Sequence, residues 1–156
     1  MKKIILMALM TIVCALNASA QYTSGIREGF LNNEIKWVFD GKTLAIMNIT
    51  LTKDGKGHRV SIPDYNPNKQ APWVKMKFPV RSVSIGKGIT RIGSYAFANC
   101  TELSEVVFAG FSMSEIGWGA FMNCSRLRTI SLPQTIKKVE TIAFAGCTML
   151  SSVKIP

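Results

Sequence analysis

The chain has 156 residues, of which 47% are hydrophobic and 18% charged, and its 19 basic against 9 acidic side chains give a formal net charge of +10. That length bounds it to one domain with a core of its own, and no apolar run beyond residue 20 is long enough to cross about 30 Å of hydrocarbon as a helix, which argues against a membrane span after that point. The positive excess suits anionic glycans, acidic headgroups or acidic proteins, and nucleic acid is the poorest fit for an exported chain.

The first 20 residues place Lys2 and Lys3 before an apolar run from Ile4 to Leu16 and end on Ala18-Ser19-Ala20. That order predicts a cleavable secretory signal over 1–20 and a secreted or cell-surface protein. Residues 21–79 read as an N-terminal β-rich cap module. Within it, residues 35–51 alternate as one or two strands with a turn at Asp40-Gly41, a second turn falls at Asp54-Gly55-Lys56-Gly57, and a strand runs from His58 to Ile62. The polar, proline-rich stretch from Pro63 to Pro72 predicts a loop with little to bury. Val74, Met76, Phe78 and Val80 then alternate with Lys75, Lys77 and Arg81 as a strand, and the shift of apolar parity to Val83 and Ile85 predicts a bend near 80–83. The charge excess is concentrated in this middle segment, where nine basic residues from Lys53 to Arg91 face only Asp54 and Asp64.

Residues 80–156 are organised by a repeat. Phe97, Phe121 and Phe144 recur at spacings of 24 and 23, as do Cys100, Cys124 and Cys147, with Leu103, Leu127 and Leu150 three residues after each cysteine. Apolar pairs two apart follow each leucine: Val106 with Phe108, Ile130 with Leu132, Val153 with Ile155. Val80, Val83 and Ile85 extend the ladder upstream, and one extra residue in Ala109-Gly110-Phe111-Ser112 accounts for the single 24-residue period. A unit of this size cannot close a core alone, so the repeats must stack, strand on strand at about 4.8 Å. Pro133 and Pro156 directly follow their strands, where a missing N–H is expected to do least harm.

The pattern I-G-x-x-A-F-x-x-C-x-x-L-x-x-I-x-I-P, nearly whole in "IGSYAFANCTELSEVVF" and "IGWGAFMNCSRLRTISLP" and altered at Glu140 and Thr141 in the next copy, resembles the BspA-like leucine-rich repeat family. Trp37, "KTLAI", "IPDY" and "PW" resemble the opening module of such proteins. The resemblance implies a mainly β fold: a leucine-rich repeat solenoid of about three short coils behind the β-rich cap. It also implies an exported or surface binding module, with adhesion to host or matrix proteins as the activity associated with some members.

No constellation points to catalysis, and the chain reads as a non-enzyme without cofactor or metal. His58 and Ser61 project from opposite faces of their strand, and neither a nucleophile elbow nor a helix-borne metal motif occurs. The three cysteines, one per coil and without a histidine beside them, read as a structural ladder with the phenylalanines and leucines rather than as metal ligands. The sequons at Asn99 and Asn123 fall inside the repeat, where a glycan would collide with the next coil. The candidate binding surface is the outward strand face: Ser82, Glu105, Thr129 and Ser152 in one row, Ser84, Val107, Ser131 and Lys154 in the next, with Arg81 and Arg128 at its margin and Lys75 and Lys77 in the basic segment. Trp118 stands either as an exposed anchor or as a packed loop residue. Three readings follow: capture of extracellular or surface proteins, self-association through an uncapped C-terminal strand at Val153 and Ile155, and binding of anionic glycans by the segment 53–91.

Overall fold

A computed structural model describes residues 26–51, 57–76 and 78–154; the signal expected over 1–20, Lys77 and Ile155-Pro156 lie outside the described residues, as does most of the turn expected at 54–57. The chain opens with an antiparallel meander of β1 (Arg27–Asn32), β2 (Ile35–Phe39) and β3 (Thr43–Asn48). Short polar side chains make its two reversals. Asn32 Oδ1 accepts from the Glu34 and Ile35 N–H groups, both at 2.9 Å, and Asp40 Oδ1 accepts from Lys42 and Thr43 at 2.9 and 2.7 Å. The turn expected at Asp40-Gly41 is there, with Gly41 at φ 96°.

Next come β4 (Val60–Ser61) and a 3-10 turn, Pro72–Lys75, and then the coils, each carrying a longer and a shorter strand: β5 (Ser82–Ile85) with β6 (Ile89–Ile92), β7 (Glu105–Phe108) with β8 (Glu115–Ile116), and β9 (Thr129–Ser131) with β10 (Lys138–Val139). The last described strand is β11 (Ser152–Lys154). The coils stack as a three-sided solenoid. One side is the strand face, where the order is β1-β2-β3-β5-β7, followed by a separate pair β9-β11; the second side is the sheet β10-β8-β6-β4. The third side consists of the turns at 94–99, 118–123 and 141–146, tied coil to coil by N–H donors of Tyr95, Phe97 and Asn99 to the carbonyls of Trp118, Ala120 and Met122, and by those of Gly119, Phe121 and Asn123 to Thr141, Ala143 and Ala145. β3 pairs in parallel with β5, Leu44 beside Val83 and Ile46 beside Ile85, so the meander and the repeats share one sheet and one core.

Inside the turn side runs an aromatic column. Trp73 stacks on Phe97 (centroids 5.4 Å apart), Phe97 on Phe121 (5.2 Å) and Phe121 on Phe144 (5.5 Å). Each contact adds about 0.5–1.5 kcal/mol beyond the area it buries. Trp73 closes the column at its N-terminal end, and its indole N–H donates to the Ala96 carbonyl at 2.8 Å. The residue before each Ala-Phe pair has positive φ (Tyr95 55°, Gly119 56°, Ile142 53°), and so does the second residue after it (Asn99 63°, Asn123 60°, Gly146 74°). Glycine is required at 93, where a Cβ would lie 2.0 Å from the Pro63 carbonyl oxygen.

The structure corrects the reading of residues 58–80. Among the described residues from Val74 to Val80 the expected strand does not form. Pro72, lacking an N–H and fixed in φ, starts the 3-10 turn instead, and the pull of Trp73 into the core replaces alternation. Val80 is buried, Val74 and Met76 are half-buried, and Phe78 is 45% exposed. The strand at 58–62 contracts to Val60–Ser61. The polar loop from Pro63 is docked rather than free. Tyr65 packs edge-on to Trp73 with its hydroxyl pushed up to about 12 by burial, and Tyr65 N–H donates to the Ser94 carbonyl at 2.8 Å. Asp64 accepts from Ser94 N–H at 2.6 Å and Arg91 at 2.7 Å; burial pushes its carboxyl up, but these bonds prevail and hold it below its usual value.

Phe97, Cys100, Leu103, Phe121, Cys124 and Leu127 are buried as the ladder requires, whereas Phe144, Cys147 and Leu150 are half-buried, because no further coil among the described residues covers them. Cys124 and Cys147 donate to the carbonyls of Phe97 (3.2 Å) and Phe121 (3.1 Å) in the preceding coils. Burial pushes the Cys100 thiol up to about 12. The neighbouring Cys147 thiol, together with burial, raises Cys124, and the neighbouring Cys124 thiol lowers Cys147. Maleimide applied to a folded chain beginning at Gln21 should therefore label Cys147 first and leave Cys100 and Cys124 until unfolding, as mass spectrometry of timed digests will show. Phe121→Ala, which opens the middle of the column, should cost about 3–5 kcal/mol in a denaturant titration.

Candidate binding surface on the strand face

The strand ladder breaks once. Ser82 lies beside Glu105 and Ile85 beside Phe108, so β5 and β7 are in register, yet no ladder joins β7 to β9. Two local features explain the break. At the end of each earlier strand, an N–H donates back to the preceding coil: Gly86 to Ile46 and Ala109 to Ile85, both at 2.8 Å. The next residue in that column is Pro133, which has no N–H for the Phe108 carbonyl. The expectation that a proline here does least harm is thus corrected; it removes a donor the other coils use. The extra residue in 109–112 adds to this by lengthening the strand-to-strand loop of this coil alone, while Ser112 Oγ accepts from Gly88 N–H at 2.9 Å and Gly110 lies against Lys87.

The other two sides of the same junction stay closed. Lys137 and Glu140 donate to Ser114 and Ile116 at 2.8 and 2.9 Å, and the turn bonds on either flank, those of Tyr95, Phe97 and Asn99 and those of Gly119, Phe121 and Asn123, are intact. The opening is therefore a wedge, wide at the strand face and closed behind. It holds about 760 Å³ and is lined by Glu105, Val107, Phe108, Phe111, Thr129 and Pro133 among others, a volume within the roughly 300–1,000 Å³ of ligand clefts. Its rim exposes large apolar groups: Val107 is 47% and Phe111 82% accessible. Because Arg128 and Leu132 bond towards β11, the alternation of a strand turns the Thr129 and Ser131 N–H groups towards β7.

The residues singled out from sequence fall in three places. Arg81, Glu105 and Arg128 are exposed along the strand face: the Arg81 carbonyl accepts from Ser104 and the Arg128 carbonyl from Ser151, and Glu105 lines the wedge. Lys75 ends the 3-10 turn that carries Trp73 to the aromatic column, so it sits on a different side of the coil from Arg81. Lys77 lies outside the described residues. Arg91, also in the basic segment, is held by Asp64 and Glu115 at 2.7 and 2.9 Å. Trp118 combines both readings of it, being 39% exposed and packed edge-on against Tyr95 at 4.9 Å. Sequence reasoning missed the wedge and Phe111's place on it; the alignment of Pro133 with Ala109 and Gly86 was the available signal. Hydrogen exchange tests the break: the Thr129 and Ser131 amides should exchange at least about tenfold faster than those of Phe121 and Asn123 in the same coil.

The model of the BspA type leucine rich repeat region matches residues 75–156. No curated protein matches the chain. Among solved structures, a leucine-rich repeat protein from Eubacterium ventriosum aligns at a TM-score of 0.54 and 17% identity, over 83% of this chain and 44% of that one, so the chain spans less than half that relative's length. A leucine-rich repeat protein from Bacteroides capillosus aligns at 0.47 and 18% identity, over 79% and 94% of the two chains, and one from T. pallidum at 0.45 and 19%, over 89% and 71%. With the repeat model covering more than half of its residues and the coils stacked as described, this chain belongs to the BspA-type leucine-rich repeat family.

Proposed function

We propose that this chain is an exported, non-catalytic module that holds an extracellular or surface protein against its strand face, with the wedge between β7 and β9 as the seat. The observation that carries the reading is the break itself, which puts exposed Val107 and Phe111 beside backbone N–H groups that no strand pairs. An extended partner segment with an apolar side chain satisfies both, through main-chain hydrogen bonds and apolar contact. Elsewhere the face is a flat ladder of Ser82, Ser84 and Ser152, which lacks the large anchors that dominate interface energy. Arg81, Glu105 and Arg128 stand at the rim, where charge steers and orients more than it holds. The order of residues 1–20 supports export.

Two other readings have less support. Binding of anionic glycans by segment 53–91 needs its cations together, whereas Lys75 and Arg81 are on different sides of the coil and Arg91 is neutralised by two carboxylates. Assembly through the C-terminal strand turns on Val153, which is partly buried against the core, and on Ile155, outside the described residues.

The test is binding of the mature chain to immobilised fibronectin, laminin and collagen, measured by biolayer interferometry. Capture by at least one, weakened tenfold or more by the double substitution Val107→Asp with Phe111→Asp and unchanged by Lys75→Glu, is the expected result. Failure of all three surfaces, or capture indifferent to the wedge substitutions, overturns the proposal.

A further inference from the structure

One coil junction on the turn side differs chemically from its neighbours. The positions of Ser94 and Tyr95 are taken in the next coil by Trp118 and Gly119, and in the last by Thr141 and Ile142. At these two positions, among the described residues, aromatic rings meet at one junction alone, Tyr95 edge-on to Trp118 at 4.9 Å. Gly119 lies beside the Tyr95 ring, with its backbone at φ 56° like the equivalent residues Tyr95 and Ile142. Tyr95 also borders a shallow notch of about 60 Å³ lined by Asn66, Gln70, Val74, Asn99 and Met122, with Pro67 and Ala98 completing it.

None of these lining residues is charged, and three are carboxamides. Their hydrogen-bonding capacity is only partly used within the protein. Asn99 Oδ1 accepts from Asn123 Nδ2 at 2.9 Å, which orients the Asn99 amide and leaves its Nδ2 with no partner among the described residues. Asn66 Oδ1 accepts from the Asn68 and Lys69 N–H groups, both at 2.9 Å, and its Nδ2 is likewise unspent. The Gln70 side chain adds a further donor and acceptor.

We infer that this notch and its aromatic rim form a binding site for a neutral saccharide. A pyranose ring has an apolar C–H face and an edge of hydroxyls, each both donor and acceptor. The rings of Tyr95 and Trp118 offer apolar, polarisable surface to the face. The amides of Asn66, Gln70 and Asn99 offer donors and an acceptor to the edge. A charged ligand finds no counter-ion in the lining. The volume is about that of two water molecules, so a single hydroxymethyl or hydroxyl arm enters the notch while the ring lies on the rim. Affinity per site is consequently low, on the order of millimolar, and a polymer of such units is the natural ligand. The site is independent of the strand-face wedge and lies on a different side of the coil.

Affinity electrophoresis of the full mature chain through gels containing mannan, xylan or dextran, with heparin as the anionic comparison, tests the assignment. Retardation in at least one neutral gel is expected, lost in Trp118→Ala and in Asn99→Ala and retained in the wedge double variant. Asn99 is exposed, so its substitution keeps the test valid if Trp118→Ala fails to fold. Trp37 and Trp73 are buried, so Trp118 is the exposed member of the three tryptophans, and the oligosaccharide of the retarding polymer should change its emission. Mobility unchanged in every neutral gel, retardation by heparin alone, or retardation indifferent to both substitutions each overturns the inference. So does loss of matrix-protein capture in Trp118→Ala without any saccharide retardation, which would assign the rim to the protein partner.

Discussion

The stacking of one aromatic ring per coil, from Trp73 through Phe97 and Phe121 to Phe144, sets the register on which the other coil-to-coil contacts depend. A unit of 23 or 24 residues has too few apolar side chains to enclose anything by itself. Phe97 and Phe121 are buried because counterparts lie one coil away, and the same offset brings the turn N–H groups of 95, 97 and 99 opposite the carbonyls of 118, 120 and 122. Trp73 matters because the first ring of such a column has no predecessor. By supplying one, and by donating its indole N–H to Ala96, it lets the irregular loop that carries it serve as the first layer.

That register also explains where irregularity can appear. With the turn side locked by stacked rings and the second side by the pairing of β8 with both β6 and β10, an extra residue in 109–112 cannot shift the whole coil. It can be absorbed only on the remaining side. Pro133 sits on that side at the position whose N–H would resist the opening. The wedge is thus the local relief of a one-residue mismatch within a stack held shut on its other two sides, and its shape, open in front and closed behind, follows from that.

The repeat was legible in the sequence because each of its elements is stated three times. Phe, Cys and Leu at fixed offsets leave little freedom in how the coils superpose, and the strand pairs Ser82 with Glu105 and Ser152 with Thr129 fall where the spacing places them. Features stated once were harder to read. The alternation of Val74, Met76, Phe78 and Val80 suited a strand, but a period of two over four residues is weak information against a proline followed by a large indole with a core site to fill. The polar loop from Pro63 hid Ala71 and Trp73, whose burial outweighs its composition. Positive φ at Tyr95 and Ile142 ran against residue preference and is imposed by the repeating turn, whose middle coil has Gly119 there. As for the surface, Lys75 and Arg81 are close in sequence and were grouped for that reason. A chain that turns a corner every few residues separates such neighbours and instead aligns Arg81, Ser104 and Arg128, which are 23 and 24 residues apart.

Recognition on such a scaffold concentrates where the repetition fails. A perfect stack offers the same small side chain at every level, and a row of serines and threonines gives a partner no place to grip. Both candidate surfaces arise from departures: the additional residue in 109–112 puts Phe111 outside, and Tyr95 and Trp118, at positions that are not aromatic in the other coils, build a rim at one junction. The regular coils fix the backbone positions from which these side chains project, so the departures cost little in stability. Substitutions at 111 or 118 can therefore change what is bound without disturbing the column that keeps the coils in register.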